Sequence, residues 1–207
     1  MNFPDTTPFH PEWFQAVGTV KTACYQAARS FFEATRKTYP DRSLPFHIID
    51  SRVLSAMTDA AGEVEQGLHI GSFIVPAVQG GAGTSINMNV NEIITNRALI
   101  RMGYKAGQYN FIDPIEQANI FQSTNDVIPA SLKIAAMRLL NTLESAVNEL
   151  RQGIEKAEKE AKAEVSEDKK AKLAELKEKA KKLAGKVEEV KEVKLKEKIQ
   201  EIGRAHV

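Results

Sequence analysis

From Leu140 to Ala161 the residues Leu140, Leu143, Val147, Leu150, Ile154, Ala157 and Ala161 recur at alternating spacings of three and four. A stripe with that period stays on one side of a helix and packs against partner helices at a shallow angle. The segment is therefore predicted to be a long bundle helix. Ser123-Thr124-Asn125-Asp126 supplies N-cap chemistry just upstream, and Pro129 falls in the first turn. A helix from Pro129 to about Glu164 would be ~54 Å long at 1.5 Å per residue.

Three shorter helices are expected before it. Pro11 opens the first, in which Trp13, Phe14, Val17, Val20, Cys24, Ala27, Ala28, Phe31 and Phe32 recur at helical spacing until Tyr39-Pro40. Within so apolar a run Cys24 is expected to be buried and unreactive. The second helix spans about Phe46 to Ala61 and is closed by Gly62. Residues 62–83 are glycine-rich and read as loop, and Phe73-Ile74-Val75 is the sole strand candidate. The third helix spans about Ser85 to Met102, between Gly80-Gly81-Ala82-Gly83-Thr84 and Gly103.

The chain changes character near residue 150. All aromatic residues lie before it, whereas from Arg151 to Gln200 more than half the residues are charged. Ser166-Glu-Asp reads as a fresh N-cap, and Leu173, Leu176, Ala180, Leu183, Val187 and Val190 form a second seam interrupted by Gly185. The Lys/Glu runs read as a solvated face with i,i+4 pairs. The fold class expected is all-α, a small helical N-terminal domain followed by long helices of a bundle. Its divisions are 1–125, 126–165 for the first long helix, 166–200 for a charged helical hairpin or insertion, and a tail, 201–207.

A net charge of +1 offers no electrostatic attraction to nucleic acid or anionic lipid. No apolar run approaches the ~18 to 20 residues that span a bilayer, and the N-terminus lacks the pattern of a signal peptide. A single cysteine permits no internal disulfide, which fits a reducing compartment. A cytoplasmic protein without membrane or nucleic-acid partners is expected.

Two polar clusters could carry chemistry. Gly80-Gly-Ala-Gly-Thr-Ser-Ile-Asn-Met-Asn-Val-Asn-Glu92 places small residues and then Thr84, Asn87 and Asn91 at a helix start, and Gln122-Ser-Thr-Asn-Asp126 does the same. Free N–H groups and the positive end of a helix attract carboxylate. Neutral donors there suit a small dicarboxylate, or a transition state that places extra charge on one. Ordinary helix capping explains the same residues, and both readings stand at this point.

Gln79-Gly-Gly-Ala-Gly-Thr-Ser-Ile-Asn-Met-Asn-Val-Asn-Glu-Ile93 and Gln122-Ser-Thr-Asn-Asp-Val-Ile-Pro129 resemble, in order, the first two signature blocks of the aspartase/fumarase superfamily of lyases. Met102-Gly103, Lys105, Gly107 and Tyr109 between them also echo the family, as do Asn2-Phe-Pro, His10-Pro-Glu and the stretch from Leu143 to Gly153. The likeness covers about residues 1–160, and Gly-Gly-Ala-Gly-Thr-Ser is closer to aspartases than to fumarases. It implies that L-aspartate is interconverted with fumarate and ammonia through an aci-carboxylate intermediate, without metal or organic cofactor. Thr84, Ser123, Thr124 and Asn125 would bind the substrate carboxylates, with Ser85, Asn87 and Asn91 in support. The resemblance also implies a homotetramer in which each active site draws on three subunits.

The sequence departs from the family in three places. Asp113-Pro-Ile-Glu-Gln-Ala-Asn119 stands where the family carries Asn-Pro-Asn-Asp-His-Val-Asn. The block Gly-Ser-Ser-x-Met-Pro-x-Lys-x-Asn, which carries the family's serine base, does not occur in these 207 residues. The chain is therefore expected to be inactive alone, and the apolar seam of a bundle helix without its partners is expected to make it self-associate. Ile202-Gly-Arg-Ala-His-Val207 resembles the start of a family block, Gly-Arg-Thr-His, with His206 the lone catalytic candidate. The same tail, from Glu201 followed by a stop, is what a common short-read sequencing adapter encodes in one frame. Two rival readings are a fumarase-type lyase and a non-catalytic helical interaction module.

Overall fold

The computed structural model describes residues 9–40, 42–44, 46–77, 81–164 and 167–204. Ser166, His206, Gln79 and Gly80, and the residues before Phe9, lie outside them. Among the described residues the chain is all-α: α1 (Pro11–Thr38), α2 (Ser51–Glu65), α3 (Thr84–Arg101), α4 (Thr124–Glu164) and α5 (Glu167–Arg204), with a short 3-10 turn at Ile70–Ser72. No helix among them is long and apolar enough to cross a membrane. They form two compact units, one ending at Ala135 and one beginning at Ala136.

In the first unit α2 packs against both α1 and α3. α1 begins at Pro11, and the His10 side chain caps it by accepting a hydrogen bond from the Glu12 amide at 3.2 Å. Its buried face is Phe14, Val17, Gly18, Lys21, Tyr25, Ala28 and Phe32, which differs from the stripe expected. Cys24 is half-buried, and Phe31 is 47% exposed. The reason is the crossing with α2: a Cβ on Gly18 would lie 2.3 Å from the Glu65 amide nitrogen. That approach fixes which meridian of α1 turns inward, and residues 14, 18, 21, 25, 28 and 32 follow it at helical period.

α2 starts later than expected, because the Asp50 carboxylate caps it by accepting from the Arg52 amide at 2.8 Å. It then runs through Gly62, whose absent side chain faces open space, and stops at Gly67. There φ is +80°, and the Gly67 and Leu68 amides donate to the carbonyls of Val64 and Glu63, both at 2.9 Å. The same double bond closes α3 at Gly103. Phe73-Ile74-Val75 pairs with no strand among the described residues. Ile74 is 83% exposed, and its amide donates to Asn89 Oδ1 at 2.9 Å.

The Glu63 carboxylate joins the end of α2 to α3. It accepts from Arg97 Nε at 2.7 Å and Arg101 Nη1 at 2.8 Å, and His69 Nε2 lies 2.6 Å away. The Arg97 hydrogen bond leads in holding Glu63 at a pKa of about 2, against its ordinary 4.5. A carboxylate depressed in the folded state stabilises above its unfolded value, and that stability is lost as pH falls toward the folded one.

In the second unit the later part of α4 pairs with α5. Glu144 bonds Lys191, and Glu158 bonds Lys177 at 2.9 Å. Fourteen residues forward on α4 (158 − 144) match fourteen back on α5 (191 − 177), so the helices are antiparallel. Val147, Ala180 and Val187 are buried, while Leu143, Leu150, Leu183 and Val190 remain 43–56% exposed. α5 continues through Gly185 without a break. Lys179–Glu175 and Lys182–Glu178 are exposed i,i+4 pairs, and Arg151–Glu155 is a half-buried one.

Two outcomes test this architecture. Gly18→Ala should lose at least ~2 to 3 kcal/mol, since a methyl group must displace helix backbone, and urea unfolding of both proteins measures it. Glu63→Gln should flatten the loss of thermal stability between about pH 4.5 and 2, read from melting temperatures across that window. A parallel decline in both proteins would contradict the role given to Glu63.

Candidate functional site

α3 opens at Gly83, which adopts φ +84° and offers no side-chain cap. An added Cβ there would also lie 3.1 Å from Ile128, in the first turns of α4. Glycine is thus required twice, by backbone conformation and by contact with the second helix. The N-terminus of α3 therefore presents unshielded N–H groups beside the start of α4.

α4 begins differently. Ser123 Oγ accepts from the Asn125 amide at 3.2 Å, and Asp126 Oδ2 accepts from the Ser123 amide at 3.1 Å. That is a reciprocal cap related to the capping box, with Ser123 bonding the amide two residues on and Asp126 reaching back from the third position. The side chain of α1 residue Trp13 donates to Ser131 Oγ at 3.0 Å and anchors the next turn. Asn87, one turn into α3, donates to Thr124 Oγ1 at 3.3 Å. The two polar clusters are thereby brought together at adjacent helix starts, all within the first unit.

The expected residues fall into distinct places. Thr84 and Ser85 are exposed at the start of α3, with Thr84 Oγ1 donating to the Gly81 carbonyl at 2.9 Å. Ser123 and Asn125 are exposed at the start of α4, and Thr124 is half-buried between the helices. Asn87 and Asn91 are buried, at 1% and 0% exposure, and point to Asn119 instead of to solvent.

Asn119 is the hub of that interior. Its Oδ1 accepts from Asn87 Nδ2 at 3.0 Å, Asn91 Nδ2 at 3.2 Å and Lys21 Nζ at 3.5 Å, while its Nδ2 donates to the Gln122 carbonyl at 2.9 Å. Lys21 Nζ donates to Gln122 Oε1 at 2.7 Å. The Ala118 carbonyl accepts from Tyr25 OH at 2.7 Å and from Gln122 Nε2 at 3.3 Å. Asp113 Oδ1 accepts from the amides of Ile115 and Glu116, each at 2.7 Å, which folds the altered stretch into a tight turn.

Lys21 is fully buried, and the sequence reading missed it. Its signal was a lysine on the inward meridian of an otherwise apolar helix face. Burial lowers its pKa from 10.5 to about 7, with Cys24 opposing the shift. Burial raises the Cys24 thiol, Lys21 opposes that, and Asp126 adds to it. Chemically, the arrangement is a donor-rich surface for a carboxylate, backed by an enclosed amine.

A lysine lowered in the folded state is a penalty at low pH that is relieved as pH rises, because the unfolded chain then binds more protons. The Lys21 contribution to wild-type stability should therefore climb between about pH 7 and 10.5, with the raised Cys24 thiol opposing it above pH 9. Lys21→Met should remove that climb in denaturant titrations across the range. An equal slope in both proteins would contradict the buried-amine assignment.

Comparison with known proteins follows the same lines. Residues 28–167 match the family model described as Lyase. An aspartate ammonia-lyase from a Bacillus species is 39% identical over 152 residues, 73% of this chain and 29% of that protein. The aspartate ammonia-lyase of Escherichia coli is 41% identical over 109 residues, 52% and 23% of the two chains. Among solved structures, the fumarate lyase:delta crystallin of Brucella melitensis in native form has a TM-score of 0.68 at 30% identity, covering 88% of this chain and 41% of that one. The chain thus spans under a third of the length of these curated relatives.

Proposed function

Because the chain belongs to this family of lyases, we propose that it carries the carboxylate-binding surface of an ammonia-lyase interconverting L-aspartate with fumarate and ammonia. The observation that carries the proposal is the convergence of two helix starts, one uncapped and one bearing hydroxyl and amide side chains. Thr84, Ser123, Thr124 and Asn125 serve as ligands to the substrate carboxylates. Ser85 supports them, and Asn87 and Asn91 do so from within, through Thr124 and Asn119.

Removing a proton from Cβ sends the electron pair into the adjacent carboxylate, which becomes a doubly charged aci-carboxylate. Collapse of that species breaks the C–N bond and releases ammonia. Donors fixed where the extra charge appears stabilise it more than they stabilise the substrate, which is the condition for catalysis. No metal or organic cofactor enters this scheme. The base is proposed to be a serine supplied by a segment beyond these 207 residues, within a cytoplasmic homotetramer. The chain alone is proposed to bind a dicarboxylate without turning it over.

A fumarase-type lyase is the second reading, and a non-catalytic helical module the third. Gly80-Gly-Ala-Gly-Thr-Ser favours an aspartase over the former, and the names of the curated relatives point the same way. Paired, partly uncapped helix starts favour ligand binding over the latter.

Fumarate added to the 207-residue chain should shift the backbone amide resonances of residues 84–86 and 124–126 saturably. Thr124→Val should weaken binding about tenfold, the worth of one hydrogen bond to a charged group. Shifts confined to other residues, or none at millimolar fumarate, would reject the proposed surface. Fumarate formed from aspartate by this chain would show that a competent base lies within it.

A further inference from the structure

We propose that Lys21 is a positioning residue: its ammonium, enclosed between α1 and residues 118–122, seats the start of α4 beside that of α3 and provides positive charge behind a dicarboxylate bound there. This rests on the functional reading above and deepens it, because Lys21 itself is fully buried and touches no ligand surface.

Two hydrogen-bonded routes lead from Lys21 to the site. One passes through Gln122, 2.7 Å away, whose neighbour in sequence is the capping residue Ser123. The other passes from Asn119 to Asn87 and on to Thr124 Oγ1. Orientation is transmitted along the second route. Asn119 presents its oxygen to Lys21 because its nitrogen is committed to the Gln122 carbonyl. Asn87 and Asn91 must then present nitrogen to that oxygen, since turning either amide would set two oxygens face to face. Their own Oδ1 atoms, buried and without a partner among the described residues, are the cost of that orientation.

A purely structural role does not account for a lysine here. Its hydrogen-bond acceptors are neutral amide oxygens, so the charge is desolvated with no carboxylate among the described residues to offset it. An apolar side chain of the same length would fill the space at lower cost. A dianion at the two helix starts supplies the missing counter-charge. The titratable neighbours that could compete for this role are Cys24 on α1, which acts on Lys21, and Asp126 on α4, which acts on Cys24.

The test compares the 207-residue chain with Lys21→Met and Lys21→Arg by two independent readouts. Without ligand, amide hydrogen exchange at residues 123–127 should be at least tenfold faster in Lys21→Met, while exchange in α2 is unchanged. With fumarate at pH 7, calorimetry in buffers of different ionisation heat should show net proton uptake by wild type. Lys21→Met should bind at least tenfold more weakly with no uptake. Lys21→Arg, permanently charged, should retain affinity and take up no proton, a split that loss of packing alone would not produce. Equal exchange in wild type and Lys21→Met would overturn the positioning role. Equal affinity and equal proton uptake would overturn the electrostatic one. If wild type fails to bind fumarate, the functional reading falls, and exchange still decides on positioning. Should Lys21→Met not fold, Gln122→Met, which keeps the cation and removes its nearest partner, carries the same exchange comparison.

Discussion

The absence of a side chain at residue 18 lets α1 approach the end of α2 within a distance that no Cβ could tolerate. Everything at the candidate site follows from that contact. It turns Lys21 and Tyr25 inward together, one turn and two turns beyond the crossing. Tyr25 takes the Ala118 carbonyl and Lys21 takes Gln122, so the segment before α4 is held from the α1 side. The start of α4 is set against Gly83 as a result, where a second missing side chain makes room for Ile128. Two glycines at helix contacts thus determine where a pair of helix N-termini meet.

Charge is handled in two opposite ways within this one unit. Glu63 is surrounded by Arg97, Arg101 and His69 and keeps 14% of its side chain in contact with water. Its negative charge is paired locally, with Arg101 shared between Glu63 and Asp59, so the cluster is a fastening between α2 and α3 and has little field left to offer a ligand. Lys21 has no such compensation among the described residues, and its field extends toward the helix starts that follow it in the hydrogen-bond network. Position, and not the count of charges, separates a fastener from a group that can serve binding. A net charge of +1 conceals that difference entirely.

Much of this was legible in the sequence, and the failures share a cause. The glycine- and asparagine-rich blocks announce helix starts by local chemistry alone, and α3 and α4 begin within a few residues of where those signals stand. The inward meridian of α1 and the burial of Lys21 depend on contacts between elements, which a periodicity on one helix does not encode. Cys24 illustrates the limit: Val20, Cys24 and Phe31 continue a plausible apolar stripe from Val17, yet the crossing at Gly18 turns these three away from the buried face. Gly62 and Gly185 illustrate another. A glycine ends a helix only where the following backbone can close it, as Gly67 and Gly103 do with φ above +80° or near it, and the residue type alone does not say which glycine will.

The capping and binding explanations of the Ser/Thr/Asn clusters are compatible once each hydrogen is assigned. Ser123 Oγ spends one lone pair on the Asn125 amide, which leaves its O–H proton free to donate. A hydroxyl that caps its own helix can therefore still bind an anion. Thr84 is in the other position: its proton is given to the Gly81 carbonyl, so donation to a carboxylate requires that bond to be exchanged. Its own amide likewise donates to Gly81, at 3.2 Å, so the donors left open at α3 are the backbone N–H groups that follow it. A dicarboxylate seated across the two helix starts would meet ready backbone donors on the α3 side and a ready hydroxyl on the α4 side. Only the Thr84 contact would have to be won from the protein, and that asymmetry makes Thr84 the residue whose engagement can differ between substrate and aci-carboxylate.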